Sequence, residues 1–220
     1  MGRLMPGVIA CANLKGGVGK STVSVNLAAC LASRGVATVL FDADHQGTSS
    51  SWARHGLLPV EVISHPWEVS GPGAAWKKPI EAAGVQKIAL VDCPPSLTGA
   101  TQAAIELAKL VLIPVTASGA DLHASARALA LVRAARRSDR GLPAVLLVPN
   151  RVDRRTAAGR ELAAALHQLG EPMGPAIGAR TKFVDAFTAG EWIGDFAPGS
   201  PAAQDIEKFT TKVTEILNAL

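Results

Sequence analysis

The chain lacks any apolar run long enough to cross a bilayer. Its main apolar stretches, VIACA, VATVLF, KIALV, LVLIPV and AVLLVP, all fall far short of the roughly 18 residues a spanning helix needs, so a mean hydropathy of +0.24 reads as buried strands. Cysteine is scarce as well. Cys11, Cys30 and Cys93 are odd in number and form no CxxC pair, which argues against a disulfide framework and a tetrahedral zinc site. The first residues carry one arginine and an apolar run soon broken by glycines, so no export signal is expected. Pro6 stands where a myristoylation pattern requires Ser or Thr. No internal repeat, low-complexity tract or linker marks a second domain, and the expectation is a cytoplasmic protein forming one domain over residues 1–220. The net charge of +4 and pI near 9.2 are compatible with a polyanionic partner but too small to demand one.

What is present is an alternation. At 220 residues and 48% hydrophobic content the chain can bury a substantial core. Five apolar runs, near 7–12, 36–42, 87–92, 110–115 and 143–149, alternate with helical patterns near 20–34, 98–108, 121–138, 156–169 and 202–219. This predicts an α/β fold with a mostly parallel, twisted sheet and helices on both faces. In the last helix Ile206, Phe209, Val213, Ile216 and Leu217 recur at helical spacing with mixed charges between them, the pattern of a helix packed on the sheet. The stretch from 52 to 80, rich in Pro, Gly and Trp, receives no assignment.

NLKGGVGKST, residues 13–22, follows the first apolar run. A Gly-rich turn entering a helix points backbone N–H groups at phosphates, and the helix dipole adds to the attraction. Gly16, Gly17, Val18, Gly19, Lys20, Ser21 and Thr22 therefore form a candidate nucleotide-binding stretch. Within it Lys20 is placed for the β- and γ-phosphates and Ser21 for Mg²⁺. The general pattern G-x-x-x-x-G-K-[ST] fails at one position, where Leu14 replaces glycine, and Lys15 is surplus to it.

KGGVGKST resembles the deviant phosphate loop of the ParA/MinD family of dimeric P-loop ATPases, whose extra lysine reaches across a nucleotide sandwich to the partner's ATP. Lys15 falls on that position. FDADHQGTSS, closing the second strand, is similar to the family's switch. The resemblance gives Asp44 the role of orienting the attacking water and Asp42 a place near the metal, with His45 standing where proline is usual. On an extended strand Asp42 and Asp44 share a face, and a turn beginning there separates them. DCPPS looks like the family's Walker B aspartate running into a second switch, which makes Asp92 a metal-site residue beside Ser21 and Asp42. PNRVD closes the fifth strand, and its Asn150 resembles the residue that bonds the adenine edge. The closing segment DFAPGSPAAQDIEKF is also similar to the family's.

The resemblance implies ATP and Mg²⁺ as cofactors, a homodimer when ATP is bound, and a ParB-like or other cargo adaptor. With twelve residues ahead of Asn13, the helix-turn-helix domain of longer partition ATPases is not expected. TKVTEILNAL lacks the basic face of MinD-type membrane helices, so no stable membrane association is expected. That leaves the short ParA-like class, bound to nonspecific nucleoid DNA. Its candidate DNA contacts are Arg180 and Lys182, then Arg151, Arg154 and Arg155. Arg160 belongs with the 151–155 group, and Arg133, Arg136, Arg137 and Arg140 fall on one helical face. Each basic group alone reads as a solvated face, but the scarcity of acids across 122–182 favours part of this surface meeting DNA. Two rival readings stay open, a membrane-cycling MinD-like regulator and a metabolic ATP-dependent ligase or amidase of the same fold.

Overall fold

The computed structural model describes residues 4–68, 73–96, 99–136 and 141–220. Its centre is a sheet of parallel strands, β1 (Gly7–Cys11), β2 (Thr38–Asp42), β3 (Glu61–Ser64), β4 (Ile88–Asp92), β5 (Leu110–Val115) and β6 (Ala144–Pro149), in the order β3-β2-β4-β1-β5-β6. The five expected strands are present within two residues of their expected bounds. The sixth, β3, was not expected. It is four residues long, lies at the sheet edge beside β2, and is exposed at both ends, so it shows neither a continuous apolar run nor alternation.

The central strands are buried on both faces, and their side chains alternate between two layers. Ile9, Cys11, Leu40, Leu90, Leu112 and Leu146 face one core, closed by α1 (Lys20–Ser33) and the last helix, α9 (Pro201–Ala219). Val8, Ala10, Phe41, Val91, Ile113 and Leu147 face the other, closed by α3 (Gly73–Gln86), α4 (Gly99–Leu107), α5 (Gly119–Ala135) and α6 (Ala157–His167). Helix α9 starts where the sequence supplies a cap: Ser200 Oγ accepts from Ala203 N at 3.2 Å, and Pro201 fills the first helical position. Its expected apolar face is the buried one. Phe209, fully buried there, is expected to cost about 3–5 kcal/mol when truncated to alanine. Urea unfolding should show this as a lower midpoint at unchanged slope. Among the described residues no helix is long and apolar enough to cross a membrane.

The short helix α2 (Thr48–Trp52) ends where the unassigned stretch begins, and the stretch holds, besides β3, the first part of α3. Helix α3 carries Pro79 inside it and Gly at its first position, which hides its period from a sequence reading. Its tryptophans explain why it holds. Trp76 is buried, stacks on His65 with centroids 5.2 Å apart and donates from Nε1 to His65 O at 3.0 Å. Trp67 packs 5.3 Å from Trp76 and lies against Gly99, where an added methyl would fall on the indole ring. His45 Nε2 is 3.0 Å from Trp67 O, so this aromatic group braces both the turn after β2 and the start of α4. Two more helices, α7 (Lys182–Ala189) and α8 (Ile193–Phe196), also fall outside the expected set.

Candidate nucleotide-binding site

All the candidate loops leave the same edge of the sheet, because the strands are parallel and ligands of open α/β sheets sit beyond the strand C-termini. Residues 12–19 connect β1 to α1, and the strand register sets acids beside them. Cys11 on β1 pairs with Asp92, and Asp92 pairs with Asp42 on β2.

Lys20, the first residue of α1, is only 7% exposed, and its Nζ donates to Lys15 O at 3.0 Å across the loop. Its ammonium thus lies inside the turn. Gly19 is required there on two counts. Its φ of 89° is left-handed, and a methyl on it would fall on Asn150 Nδ2. Asn150, 2% exposed, donates from Nδ2 to Val18 O at 2.7 Å, and Arg151 donates to Gly17 O at 2.8 Å. The end of β6 therefore clamps the phosphate loop from the side. Gly19→Ala is expected to fold but to lose measurable ATP binding by calorimetry, since both the turn and the Asn150 clamp must move.

The two β2 acids are separated by a turn. Asp42, fully buried, accepts from the N–H and hydroxyl of Ser50 at 2.7 and 2.8 Å, anchoring α2, and from Asp44 N at 3.3 Å. Asp44 stands half-buried in the turn itself, with Oδ1 accepting from Gln46 N at 3.0 Å. Of the two alternatives read from spacing, the turn holds.

Asp92 is buried and takes the Ser49 hydroxyl at 2.7 Å and the Ser24 hydroxyl at 3.4 Å. Burial pushes its carboxyl up to about 6; the Ser21 and Ser49 hydroxyls oppose the rise, Asp42 adds to it and Lys20 opposes it. Ser24 and Ser49 were not singled out in the sequence. Nothing in the sequence marks them, since serines beside a helix start are common and their partner lies on a distant strand. The donors here are hydroxyl and carboxylate oxygens, the set that suits Mg²⁺ held by one or two carboxylates together with phosphates. Among the described residues no three His, Cys, Asp or Glu side chains gather into a metal cluster. Cys11, pushed up to about 12, and Cys93, raised well above its ordinary value, are both displaced by burial and act as apolar filling.

The candidate basic residues are less uniform than their spacing. Arg180 pairs with Asp205 at 2.9 Å, and Arg155 pairs with Asp153 at 2.8 Å, holding the Asp153 carboxyl down to about 2. Arg160 donates to Arg155 O at 2.8 Å, and Arg133 and Arg136 both reach Glu171, at 3.0 and 3.2 Å. Arg137 and Arg140 lie outside the described residues. Arg154 and Lys182 are exposed, and Lys182 Nζ sits 5.5 Å from the Phe196 ring centroid. Arg154, Arg155, Arg180 and Lys208 line an open hollow of about 610 Å³ together with Asp153 and Asp205.

The profile of the CobQ/CobB/MinD/ParA nucleotide binding domain matches residues 9–191, a span that contains every loop of the site. The chain belongs to this family. The ParA/MinD branch are ATPases, and the chain is one of them. It is 31% identical to the maintenance of carboxysome distribution protein A of Halothiobacillus neapolitanus over 214 residues, covering 93% of this chain and 95% of that one. It is 30% identical to the chromosome-partitioning ATPase Soj of Thermus thermophilus over 235 residues, covering 93% and 94%. The septum site-determining protein MinD of Pyrococcus horikoshii, solved with Mg-ADP, superposes with a TM-score of 0.79 at 18% identity, covering 96% of this chain and 97% of that one, which shows a shared MinD/ParA fold.

Proposed function

We propose that the chain is a ParA-type positioning ATPase of one domain, in which ATP joins two copies face to face and the pair holds nonspecific DNA until an adaptor protein stimulates hydrolysis. The observation that carries the reading is the division of labour between the loop lysines. Lys20 is buried inside its own cradle, whereas the Lys15 side chain is 40% exposed at the rim and spare to that cradle. A half-exposed charge at the rim of one site can complete a phosphate clamp in the other, which ties catalysis to association as an arginine finger does.

In this reading Ser21 and Asp92, with Asp42 behind them, hold Mg²⁺, which when bound neutralises phosphate charge. Lys20 binds the β- and γ-phosphates, and Asp44 orients the attacking water. The base lies in the cleft of about 210 Å³ lined by Thr22, Asn150, Gly178 and Phe183, beside Arg151 and Arg180. Because Asn150 Nδ2 is committed to Val18, its carbonyl oxygen is the atom left to accept from an exocyclic amine. The family resemblance to proteins named for carboxysome distribution and chromosome partitioning supports a cargo carried on the nucleoid.

Pairing two subunits makes a weak basic face bivalent. Since Asp205 and Asp153 neutralise Arg180 and Arg155 in part, Arg154 and Lys182 carry the larger share of phosphate contact. Cosedimentation with nonspecific duplex DNA over a salt series tests this. Binding should require ATP and fall steeply with salt, and Arg154→Ala or Lys182→Ala should each lower the slope of log affinity against log salt by about 1. Absence of ATP-dependent binding at low salt contradicts the DNA reading. Substrate-dependent hydrolysis with a small acid, or ATP-dependent liposome binding, would favour the ligase or the membrane regulator instead.

A further inference from the structure

We infer that Asp121 is a latch for Lys15: it holds the rim lysine within its own subunit, and pairing of two subunits requires that the lysine exchange this carboxylate for the neighbour's phosphate. The inference rests on the reading that Lys15 serves the neighbouring nucleotide.

Lys15 Nζ forms an ion pair with Asp121 Oδ1, and Thr116 Oγ1 donates to Asp121 Oδ2. The pair is lopsided. The Asp121 side chain is 7% exposed and that of Lys15 is 40% exposed, so the lysine can leave for water or another anion while the carboxylate stays buried. Removing one partner from a buried ion pair leaves a charge that the interior compensates poorly. Once Lys15 departs, the Asp121 carboxylate keeps, among the described residues, the Thr116 hydroxyl and the dipole at the start of α5, where it stands in the first turn. Departure is therefore opposed, and an anion outside the subunit must outweigh that opposition.

The catch is also braced. Ser125 Oγ donates to Asp121 O at 2.6 Å, and Asn13 Nδ2 donates both to Ser125 Oγ at 2.9 Å and to Pro114 O at 2.7 Å. The first turns of α5 are thus tied to the residue two places before Lys15. A cleft of about 420 Å³ lined by Lys15, Gly16, Thr116, Asp121 and Arg151 opens at this point, so the lysine has room to swing. A plain capping role for Asp121 at the helix start explains the Thr116 contact but not the recruitment of Lys15.

Sedimentation velocity, with a non-hydrolysable ATP analogue and Mg²⁺ titrated into the full chain, reads the concentration giving half-maximal dimer. Asp121→Asn, which keeps shape and loses charge, is expected to lower this half-point by at least about 5-fold. Thr116→Val strips the carboxylate of its other partner and should raise it, a change of opposite sign that a merely structural role would not give. Lys15→Ala should not dimerise, and adding Asp121→Asn to it should restore nothing. An Asp121→Asn half-point that is unchanged or raised, with Lys15→Ala still unable to dimerise, overturns the latch and leaves the sandwich standing. Parent-like dimerisation of Lys15→Ala overturns the underlying reading. If thermal melting shows Asp121→Asn unfolded, Thr116→Val decides alone: a raised half-point supports the latch and an unchanged or lowered one overturns it.

Discussion

The Lys20→Ala variant is expected to bind ATP about 10- to 100-fold more weakly than the parent, with its fold intact. The size follows from what the side chain does in its place. Charge-assisted hydrogen bonds contribute about 1.5–3 kcal/mol each net of water, and every 1.4 kcal/mol or so is tenfold in affinity. Lys20 is held in position by the Lys15 carbonyl at 3.0 Å and is nearly sealed from solvent, so little ordering remains to be done when a phosphate arrives. Among the described residues no neighbouring cation is placed to substitute for it. Arg151 is engaged with the Gly17 carbonyl at the loop's outer side, and Lys15 is paired with Asp121. Calorimetric titration with Mg-ATP reads the loss directly, and a parent-like Kd would place the phosphates elsewhere.

Asp44→Ala should separate turnover from binding. Hydrolysis is expected to fall about 10²- to 10⁴-fold, the usual contribution of a positioned acid or base, while ATP affinity stays near that of the parent. Asp44 suits this role because the turn after β2 detaches it from the sheet. Asp42 spends its oxygens on Ser50 and the Asp44 backbone N–H, whereas the Asp44 carboxylate holds only Gln46 N and faces the loop edge of the site half-exposed. Phosphate release measured beside DNA cosedimentation should show a variant that stays on DNA with ATP. If it hydrolyses ATP at the parent rate, the water is oriented by another group.

The parts legible in the sequence are those fixed by local pattern. Parallel strands buried on both faces read as short apolar runs, and α9 read as an amphipathic helix from the spacing of Ile206, Phe209, Val213, Ile216 and Leu217. The phosphate loop was visible because its turn demands glycine and its charge demands lysine at set spacing. Illegible features depend on partners far along the chain. Strand β3 is too short and too exposed to show a period, and α3 is held by Trp67, Trp76 and His65 against its own Pro79. The spacing of Arg133 and Arg136 suggested a basic face, but Glu171 takes both. Asp205, on α9, does the same to Arg180. Ser24 and Ser49 gained meaning only once the fold set them on Asp92. Asp121, four strands further along the chain although its strand β5 lies beside β1 in the sheet, could not be connected to Lys15 by any spacing rule.

The division of labour between Lys20 and Lys15 is tested most directly by sedimentation velocity of Asp44→Ala against Asp44→Ala with Lys15→Ala, each at saturating Mg-ATP with nucleotide occupancy measured in parallel. The first should sediment as a dimer, and the second should bind ATP and remain a monomer. A dimer of the double variant, formed at the same ATP concentration as the single one, would contradict a role for Lys15 across the interface.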